Sequence, residues 1–263
     1  DALFTVGPRC TAKRREHPVL PSVERASGSM TVATRVGFLD TQRCSSGEPL
    51  SALLSTPPPP LTFEGGTVLD QEALEALMAI VYTRGLLFAR EKDYRGMHLW
   101  ALPPPVSPAT PFGGLPSSCD LGCSAQLREG TMLPQLCIRR VGLVHGVECG
   151  LGLYATAPIA AGTFVSEYTG VVQCDPDPVA RDDYAFSLPV CEPDVRISAR
   201  CYGNACRLIN HSDAPNARLV CVVHDGAIHL VAMTCADVRS GEQLTADYGE
   251  PYWRAHGRRK ISL

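Results

Sequence analysis

The chain has 263 residues, of which 45% are hydrophobic and 19% charged, and its formal net charge is −3. That length allows one domain with a sizeable core plus an appendage. The nearly neutral balance gives no broad basic surface, so we expect no direct sequence-specific binding to nucleic acid. No run of about 18 apolar residues occurs, so we expect no membrane-spanning helix.

The 12 cysteines include no Cys-x-x-Cys pair, and several lie within apolar runs, where they read as small buried hydrophobic residues. Because the N-terminus carries no secretory signal, we expect a reduced, intracellular compartment. Four cysteines resemble a zinc cluster at first sight, but their spacing fits no usual zinc-binding pattern. These are Cys119, Cys123, Cys137 and Cys149. The sequence therefore predicts no metal site.

The first half of the chain divides into three predicted segments. Residues 1–66 are rich in Pro, Ser and Gly with little periodicity, which indicates an irregular segment of loops or short elements lying on a core. Apolar side chains at helical spacing predict an amphipathic helix within residues 67–95, with Asp70 as its N-cap. Residues 96–135 are rich in Pro and Gly, which is typical of a linker. We therefore expect a partly helical, partly irregular N-terminal extension.

From residue 136 onward, short β-type runs alternate with Gly, Asp and Pro at the joints. The predicted strands are 136–143, 152–156, 163–167, 170–174, 184–188, 195–198, 218–223 and 227–233. The tripeptide His-Asp-Gly at 224–226 separates the last two runs and predicts a β-hairpin. We therefore expect a compact, mainly β domain at residues 136–250, followed by a short tail at 251–263.

Three short motifs place glycines or aromatic residues beside these strands. Gly-Leu-Gly at 150–152 would let a ligand approach the backbone closely, although a bulge or turn is the commoner explanation of such a pair. Glu-Tyr-Thr-Gly at 167–170 and Asp-Tyr-Ala-Phe at 183–186 are, taken singly, ordinary strands with core aromatic residues. None of the three identifies a function by itself.

The most informative motif is Gly-Asn-Ala-Cys-Arg-Leu-Ile-Asn-His-Ser-Asp-Ala-Pro-Asn at 203–216. A buried Asn-His pair is by default a satisfied structural network. Asp-Tyr-Gly follows at 247–249 and places a phenol at the end of another buried segment. Together with the three shorter motifs, in this order and spacing, they resemble the motifs of the SET-domain protein-lysine methyltransferases over residues 136–253.

The resemblance implies a SET fold of short β-sheets with a pseudoknot, in which the segment containing Asn210 threads beneath the loop that carries Tyr248. It also implies S-adenosylmethionine as the methyl donor, with Tyr248 and Tyr168 as catalytic residues. The implied cofactor-binding residues are Gly150, Leu151, Gly152, Tyr184, Arg207, Asn210, His211, Tyr248 and Trp253. The implied substrate channel consists of Tyr168, Phe186, Leu219, Ala246 and Tyr252.

The chain departs from the family pattern at several of these positions. Leu151 stands where relatives often have Trp, and Asp213 stands where many have the first cysteine of a zinc-bound post-SET segment. We therefore expect a compact SET protein without that zinc, in which Tyr252 and Trp253 close the pocket. Simple packing of Trp253 on the core explains it equally well. Ala246, in place of a limiting Tyr, predicts a roomy pocket that allows di- or trimethylation.

The sequence thus favours a protein-lysine N-methyltransferase that acts on a core-histone tail, with the nucleosome as a larger candidate partner. A non-histone substrate is an open alternative, because the expected peptide groove at 189–200 carries no recognisable code. Its Glu192 and Asp194 could attract a basic tail or could be ordinary surface charge. An inactive SET fold that serves as a binding module is a third interpretation. We expect the nucleus as location, and a secreted effector or viral protein that acts in a host nucleus stays open.

Overall fold

The computed structural model is mainly β, as the sequence predicts, with short helices between the strands. The residues that it describes are 36–44, 48–55, 58–64, 66–92, 94, 115–174, 182–188, 195–225, 227–256 and 260–263. In this part of the chain, none of the helices combines the length and the apolar character needed to cross a membrane.

The described strands carry the labels β1 to β19 in chain order. They are β1 (Val36–Phe38), β2 (Arg43–Cys44), β3 (Leu61–Phe63), β4 (Thr67–Leu69), β5 (Val81–Tyr82), β6 (Leu86–Phe88), β7 (Leu136–Arg140), β8 (Leu143–Val144), β9 (Val147–Glu148), β10 (Leu151–Ala155), β11 (Phe164–Glu167), β12 (Val171–Cys174), β13 (Ala185–Ser187), β14 (Val195–Ser198), β15 (Tyr202–Gly203), β16 (Asn210–His211), β17 (Ala217–His224), β18 (Ala227–Thr234) and β19 (Thr245–Ala246). The helices are α1 (Leu50–Leu54), α2 (Gln71–Met78), α3 (Ser124–Glu129) and α4 (Glu250–His256), with a 3-10 helix at Ala205–Leu208.

A six-stranded sheet has the order β13-β14-β12-β6-β1-β2 and joins both halves of the chain. Strand β6 runs parallel to β1 on one side and to β12 on the other. Its sequence, Leu-Leu-Phe at 86–88, is apolar at every position, as expected of a strand that is covered on both faces. All three side chains are buried.

A four-stranded sheet of order β10-β7-β3-β4 and a parallel β15–β5 pair repeat this mixing of the two halves. Leu61, Phe88, Leu153, Ile197 and Leu230 come from five strands in three different sheets, and all lie buried in one core. The described part of the N-terminal extension therefore contributes strands to the body of the fold.

The third sheet, of order β11-β18-β17, contains the predicted hairpin. His224 pairs with Ala227 across a two-residue connection, and Asp225 has a φ of 46°, the left-handed conformation that a tight hairpin turn requires. Gly226 lies outside the described residues. The hairpin prediction is confirmed on the residues around it.

Strand β16 pairs in parallel with β19, so that Asn210 lies opposite Thr245 and His211 opposite Ala246. These strands have two residues each, too few for a periodic pattern to indicate them in the sequence. Their pairing brings the segment of Asn210 and His211 beside the segment that leads to Tyr248, as the predicted pseudoknot requires.

The helix predicted over residues 67–95 is much shorter and spans only Gln71–Met78. Asp70 does cap it, since Asp70 Oδ1 accepts a hydrogen bond of 2.8 Å from Ala73 N. The helix ends at Ala79, which has a φ of 54°. The residues beyond it form β5 and β6, because pairing with β15, β1 and β12 outweighs the helical spacing of their apolar side chains.

The linker predicted over residues 96–135 is wrong for its described part, which starts at residue 115. Helix α3 lies there, and its Leu127 packs with Cys123, Val222 and Met233 against the hairpin sheet. Gly130, with a φ of 61°, ends this helix in the left-handed conformation that glycine adopts readily. Of the irregular segment predicted over residues 1–66, residues 1–35 lie outside the described part. The remainder contributes β1, β2, α1 and β3.

Candidate functional site

Tyr248 lies where the loop after β19 meets β16. Its hydroxyl donates a hydrogen bond of 2.9 Å to the carbonyl oxygen of Ile209, and its backbone N–H donates one of 3.1 Å to Nδ1 of His211. Burial raises the pKa of the Tyr248 phenol above its usual value of 10, and the neighbouring Tyr252 and Tyr184 raise it further. The phenol therefore stays protonated at neutral pH and keeps its hydrogen bond to the carbonyl oxygen of Ile209.

The same contact fixes the state of His211. Because Nδ1 accepts from Tyr248 N–H, the neutral ring carries its proton on Nε2. That nitrogen faces Asp213, with 3.5 Å between Nε2 and Oδ1. His211 is thus a buried ring with a fixed orientation.

Four rings form an aromatic wall, consisting of His211, Tyr248, Tyr252 and Trp253. Trp253 stacks on Tyr248 with 6.0 Å between centroids and meets the His211 ring edge-on at 4.9 Å. Tyr252 meets Tyr248 edge-on at 4.7 Å. Such offset and edge-on pairs stabilise each other beyond the area that they bury. Helix α4 therefore holds its aromatic residues directly against the pair formed by Tyr248 and His211.

The glycine loop at 150–152 lies on the other side of Asn210. The Asn210 side-chain amide donates a hydrogen bond of 3.0 Å to the carbonyl oxygen of Leu151. Gly150 has a φ of 68°, where a side chain would be strained. A Cβ on Gly152 would lie only 2.4 Å from Nε2 of Gln243, so glycine is what lets the Gln243 side chain approach. The predicted loop and Asn210 are therefore in direct contact.

Tyr168 is buried, and its hydroxyl donates a hydrogen bond of 2.8 Å to the carbonyl oxygen of Tyr184. Burial raises the Tyr168 pKa well above 10, and the nearby Tyr248 contributes in the same direction. Tyr184 itself is 37% exposed, which makes it the rim of the site rather than part of the core.

Arg207 joins the motif to the N-terminal part of the chain. Its guanidinium carbon lies 3.7 Å from the centroid of the Tyr184 ring, a cation–π contact. One terminal nitrogen, Nη1, donates a hydrogen bond of 2.7 Å to the carbonyl oxygen of Met78 at the end of α2.

The remaining channel candidates lie in strands. Ala246 is buried in β19, and Phe186 is half-buried in β13 opposite Ile197. Leu219 is half-buried in β17 opposite Ala232. The structure thus brings Tyr168, Tyr248, Arg207 and their partners together, and it locates Phe186 and Leu219 by their strand positions. Glu192 and Asp194 of the expected peptide groove lie outside the described residues.

Several buried donors around these residues have no hydrogen-bond partner. They are Nε of Arg207, Nε2 of Gln243 and Nε1 of Trp253. A buried donor without an acceptor costs free energy, so such atoms point to a site where a ligand supplies the acceptors. Gln243 was not among the predicted site residues, because it lies in none of the motifs described above.

Within the described ranges, no group of three or more His, Cys, Asp and Glu side chains is arranged to hold a metal ion. The cysteines weighed as a zinc cluster are all free thiols there. They are Cys119, Cys123, Cys137 and Cys149.

Residues 150–249 match the model of the SET domain family. Histone-lysine N-methyltransferase EHMT1 of Mus musculus is 33% identical over 148 residues, which cover 53% of this chain and 11% of that protein. Histone-lysine N-methyltransferase ASHH3 of Arabidopsis thaliana is 31% identical over 118 residues, which cover 42% of this chain and 32% of that protein. The chain therefore corresponds to a minor part of the length of both relatives.

Among solved structures, the crystal structure of KRYPTONITE in complex with mCHG DNA and SAH is 30% identical in the matched region. The match covers 43% of this chain and 23% of that chain, with a TM-score of 0.37. The family match spans the glycine loop, Arg207, Asn210, His211 and Tyr248 together. The chain therefore contains a SET domain at residues 150–249.

Proposed function

We propose that the protein is a protein-lysine N-methyltransferase that transfers a methyl group from S-adenosylmethionine to a lysine of a core-histone tail. One observation carries the proposal most directly. Half-buried Tyr248 is held against His211 and Ile209, next to Asn210 and the glycine loop that Asn210 contacts. The names of the relatives EHMT1 and ASHH3 support the reaction and the histone substrate.

The residues of the site fit S-adenosylmethionine. That donor carries a carboxylate, ribose hydroxyls and adenine nitrogens, all of which accept hydrogen bonds. These acceptor atoms match three buried N–H groups that have no hydrogen-bond partner. The groups are Nε of Arg207, Nε2 of Gln243 and Nε1 of Trp253. The left-handed Gly150 and the uncluttered backbone of the loop would let the ligand approach closely. When bound, this group supplies an electrophilic methyl on a sulfonium.

The substrate lysine must present a neutral amine, because only a free lone pair can accept the methyl group. Holding a free lysine neutral at pH 7 costs about 4–5 kcal/mol, given its ordinary pKa near 10.4. The buried Tyr168 and the aromatic wall exclude water and disfavour a second cation beside a sulfonium. A dry channel between these residues lowers the lysine pKa and orients its nitrogen.

The hydroxyls of Tyr168 and Tyr248 have a shared geometry that suits this role. Each donates its hydrogen to a backbone carbonyl, that of Tyr184 and that of Ile209. The lone pairs of both phenolic oxygens are then free to accept. They can take weak CH···O contacts from a methyl group and stabilise developing charge on it.

Labelled S-adenosylmethionine with nucleosomes, free histones and a peptide array tests the proposal. We expect the wild type to label a histone, and Tyr248→Phe to leave it unlabelled while remaining folded by circular dichroism. Equal labelling by both proteins would contradict the assignment. Labelling of array peptides from other proteins, with histones left blank, would favour the non-histone alternative instead.

The inactive binding module is the weaker alternative, since Tyr248, Asn210 and the glycine loop are all present and in contact range of one another. Absence of any donor uptake in calorimetry, together with retained binding of a histone peptide, would favour it. A nuclear location follows from the proposed histone substrate, and imaging of the tagged full-length protein tests it.

We further propose that the product is di- or trimethyl-lysine. Ala246 is buried in β19 beside His211, and its methyl group leaves space where a tyrosine would place a hydroxyl. Mass spectrometry of a peptide after exhaustive turnover should show two or three added methyl groups. The variant Ala246→Tyr should stop at one. A wild type that stops at monomethyl-lysine would contradict the proposal.

A further inference from the structure

Residues 260–263, called the C-terminal clasp below, lie along the segment that follows β16. The backbone N–H of Leu263 donates a hydrogen bond of 3.2 Å to the carbonyl oxygen of His211. The Ser212 hydroxyl donates one of 2.7 Å to the carbonyl oxygen of Leu263. The clasp therefore pairs with the same short segment that holds Tyr248.

Two further contacts of the clasp converge on Asp213. The backbone N–H of Asp213 donates a hydrogen bond of 2.8 Å to the Ser262 hydroxyl, and the Asp213 carboxylate forms an ion pair with the Lys260 ammonium. The hydrogen bond with Lys260 lowers the pKa of Asp213, and the same bond raises the pKa of Lys260. Both groups are charged at neutral pH, and Asp247 and Glu250 add negative charge around Lys260.

The clasp has a consequence for α4. One end of this helix follows Tyr248, whose N–H is bound to the ring of His211, and the other end is four residues before Lys260. Because Leu263 also binds His211, both ends of α4 are attached to β16 and the residues just after it. The helix carries Tyr252 and Trp253, so the clasp limits how far these two rings can move away from His211.

We propose that Asp213 and Lys260 are positioning residues that hold the aromatic wall closed for binding of the methyl donor. This inference rests on the proposed methyltransferase function for its ligand. Both side chains are partly exposed, 58% for Asp213 and 39% for Lys260, and exposed ion pairs contribute little to global stability. Their effect should therefore appear in the local opening of α4 and in donor binding, with the overall fold retained.

Charge reversal and charge exchange test the proposal on the full chain. The variants are Asp213→Lys, Lys260→Asp and the double exchange, with Glu129→Lys on α3 as a control that makes the charge change of Asp213→Lys at another exposed site. Hydrogen exchange of residues 250–256 without donor measures opening of α4. Calorimetry with S-adenosylmethionine and steady-state kinetics measure the effect on binding and turnover.

We expect each single reversal to speed exchange in α4 and to raise the donor Kd and KM by about threefold to tenfold, because it replaces an attraction by a repulsion. The turnover number kcat at saturating donor should change much less, since Tyr248 itself is untouched. The double exchange should restore part of the slow exchange and of the affinity for S-adenosylmethionine, because Asp247 and Glu250 still repel an aspartate at position 260. Glu129→Lys should match the wild type.

Two results would overturn the inference. One is unchanged exchange in the single variants or no recovery in the double exchange, whatever the methylation activity. The other is tighter donor binding in the single variants, which would mean that the clasp blocks the site. A wild type that takes up no donor would instead refute the proposed function. The exchange data would in that case still decide whether Asp213 and Lys260 position the wall.

Discussion

The end of α2 and the aromatic wall are both partly buried, yet they treat polar groups in opposite ways. At α2, Oε1 of Glu75 accepts hydrogen bonds of 2.9 Å from both the Gln71 amide and the backbone N–H of Tyr82. Near the wall, buried donors of Gln243 and Trp253 have no acceptor. Each open donor costs about 1–3 kcal/mol. We therefore expect the first region to contribute mainly to stability and the second to ligand binding.

Arg207 belongs to both regions. Its Nη1 closes the end of α2 on Met78, whereas its Nε is buried without a partner beside Tyr184. The N-terminal part of the chain therefore helps to aim a side chain of the motif. The comparison predicts that substitutions at α2 and β1 change the free energy of unfolding, and that substitutions at the wall change donor binding or turnover.

Removal of one tyrosine hydroxyl from each region should show the largest difference between them. Tyr248→Phe should lower kcat by at least about 100-fold, because the variant lacks the oxygen that we propose contacts the transferred methyl group. Tyr82 is buried more deeply than Tyr248 and lies in β5, so Tyr82→Phe should leave kcat unchanged. Rapid-quench kinetics and calorimetry measure both. Similar losses of kcat in the two variants would mean that the hydroxyl acts only through the fold.

A second test adds one methyl group either to Gly170, directly before β12, or to Gly37 in β1. A Cβ on Gly170 would lie 2.3 Å from the backbone oxygen of Ser198, which cannot move without opening the β12–β14 ladder. A Cβ on Gly37 would instead meet the end of the Leu50 side chain at 2.4 Å. Overpacking against backbone should cost at least about 3 kcal/mol in Gly170→Ala, against about 1 kcal/mol in Gly37→Ala.

Urea unfolding of these two variants gives both values. Equal losses in the free energy of unfolding would show that β1 is packed as rigidly as the start of β12. A Gly170→Ala protein that unfolds like the wild type would refute the close approach at Ser198.

A matched pair of methionine substitutions separates stability from binding. Glu75→Met leaves the Tyr82 N–H without its acceptor and should cost about 1–3 kcal/mol of the free energy of unfolding. Gln243→Met removes a donor that has no partner, so its stability should be unchanged or slightly higher. The Kd of this variant for S-adenosylmethionine should rise by about tenfold, which corresponds to the free energy of about one hydrogen bond. Loss of stability in Gln243→Met would show that this amide has a structural partner.

The smallest effect concerns alkaline pH. Burial raises the pKa of Tyr82, Tyr168 and Tyr248 above the ordinary value of 10, and raises that of Tyr94 to about 12. These phenols ionise earlier in the unfolded chain. Their contribution to stability is therefore complete below pH 10 and is lost as the pH rises above 10 toward their folded values.

Ultraviolet titration of the eight tyrosines should consequently show these four un-ionised in the folded protein at about pH 11. Tyr248→Phe should leave the number that ionise below that pH the same. Ionisation of all eight before unfolding would contradict the burial of the site. This effect does not separate the α2 region from the aromatic wall, because both contain phenols with raised pKa values.

The features that could be predicted from the sequence are those whose contacts lie close together along the chain. Strands after residue 136, the turn at Asp225 and the cap by Asp70 depend on near neighbours, and the structure contains them. The length of α2 could not be predicted, because Tyr82 pairs with Gly203 across the chain. The same holds for the hydrogen bond between Arg207 and Met78, whose residues are 129 positions apart.

The position of β6 between β1 and β12 sets an order of events at the ribosome. Leu87 pairs with Gly37 on one side and with Val171 on the other. The first pairing is available early, but β12 emerges roughly 80 residues later, which at about 5–20 residues per second takes about 4–16 s. During that interval one edge of an apolar strand has no neighbour from its own chain, and such edges recruit other chains. Nascent chains of this protein should therefore depend on a chaperone that covers residues 86–88 until translation passes β12.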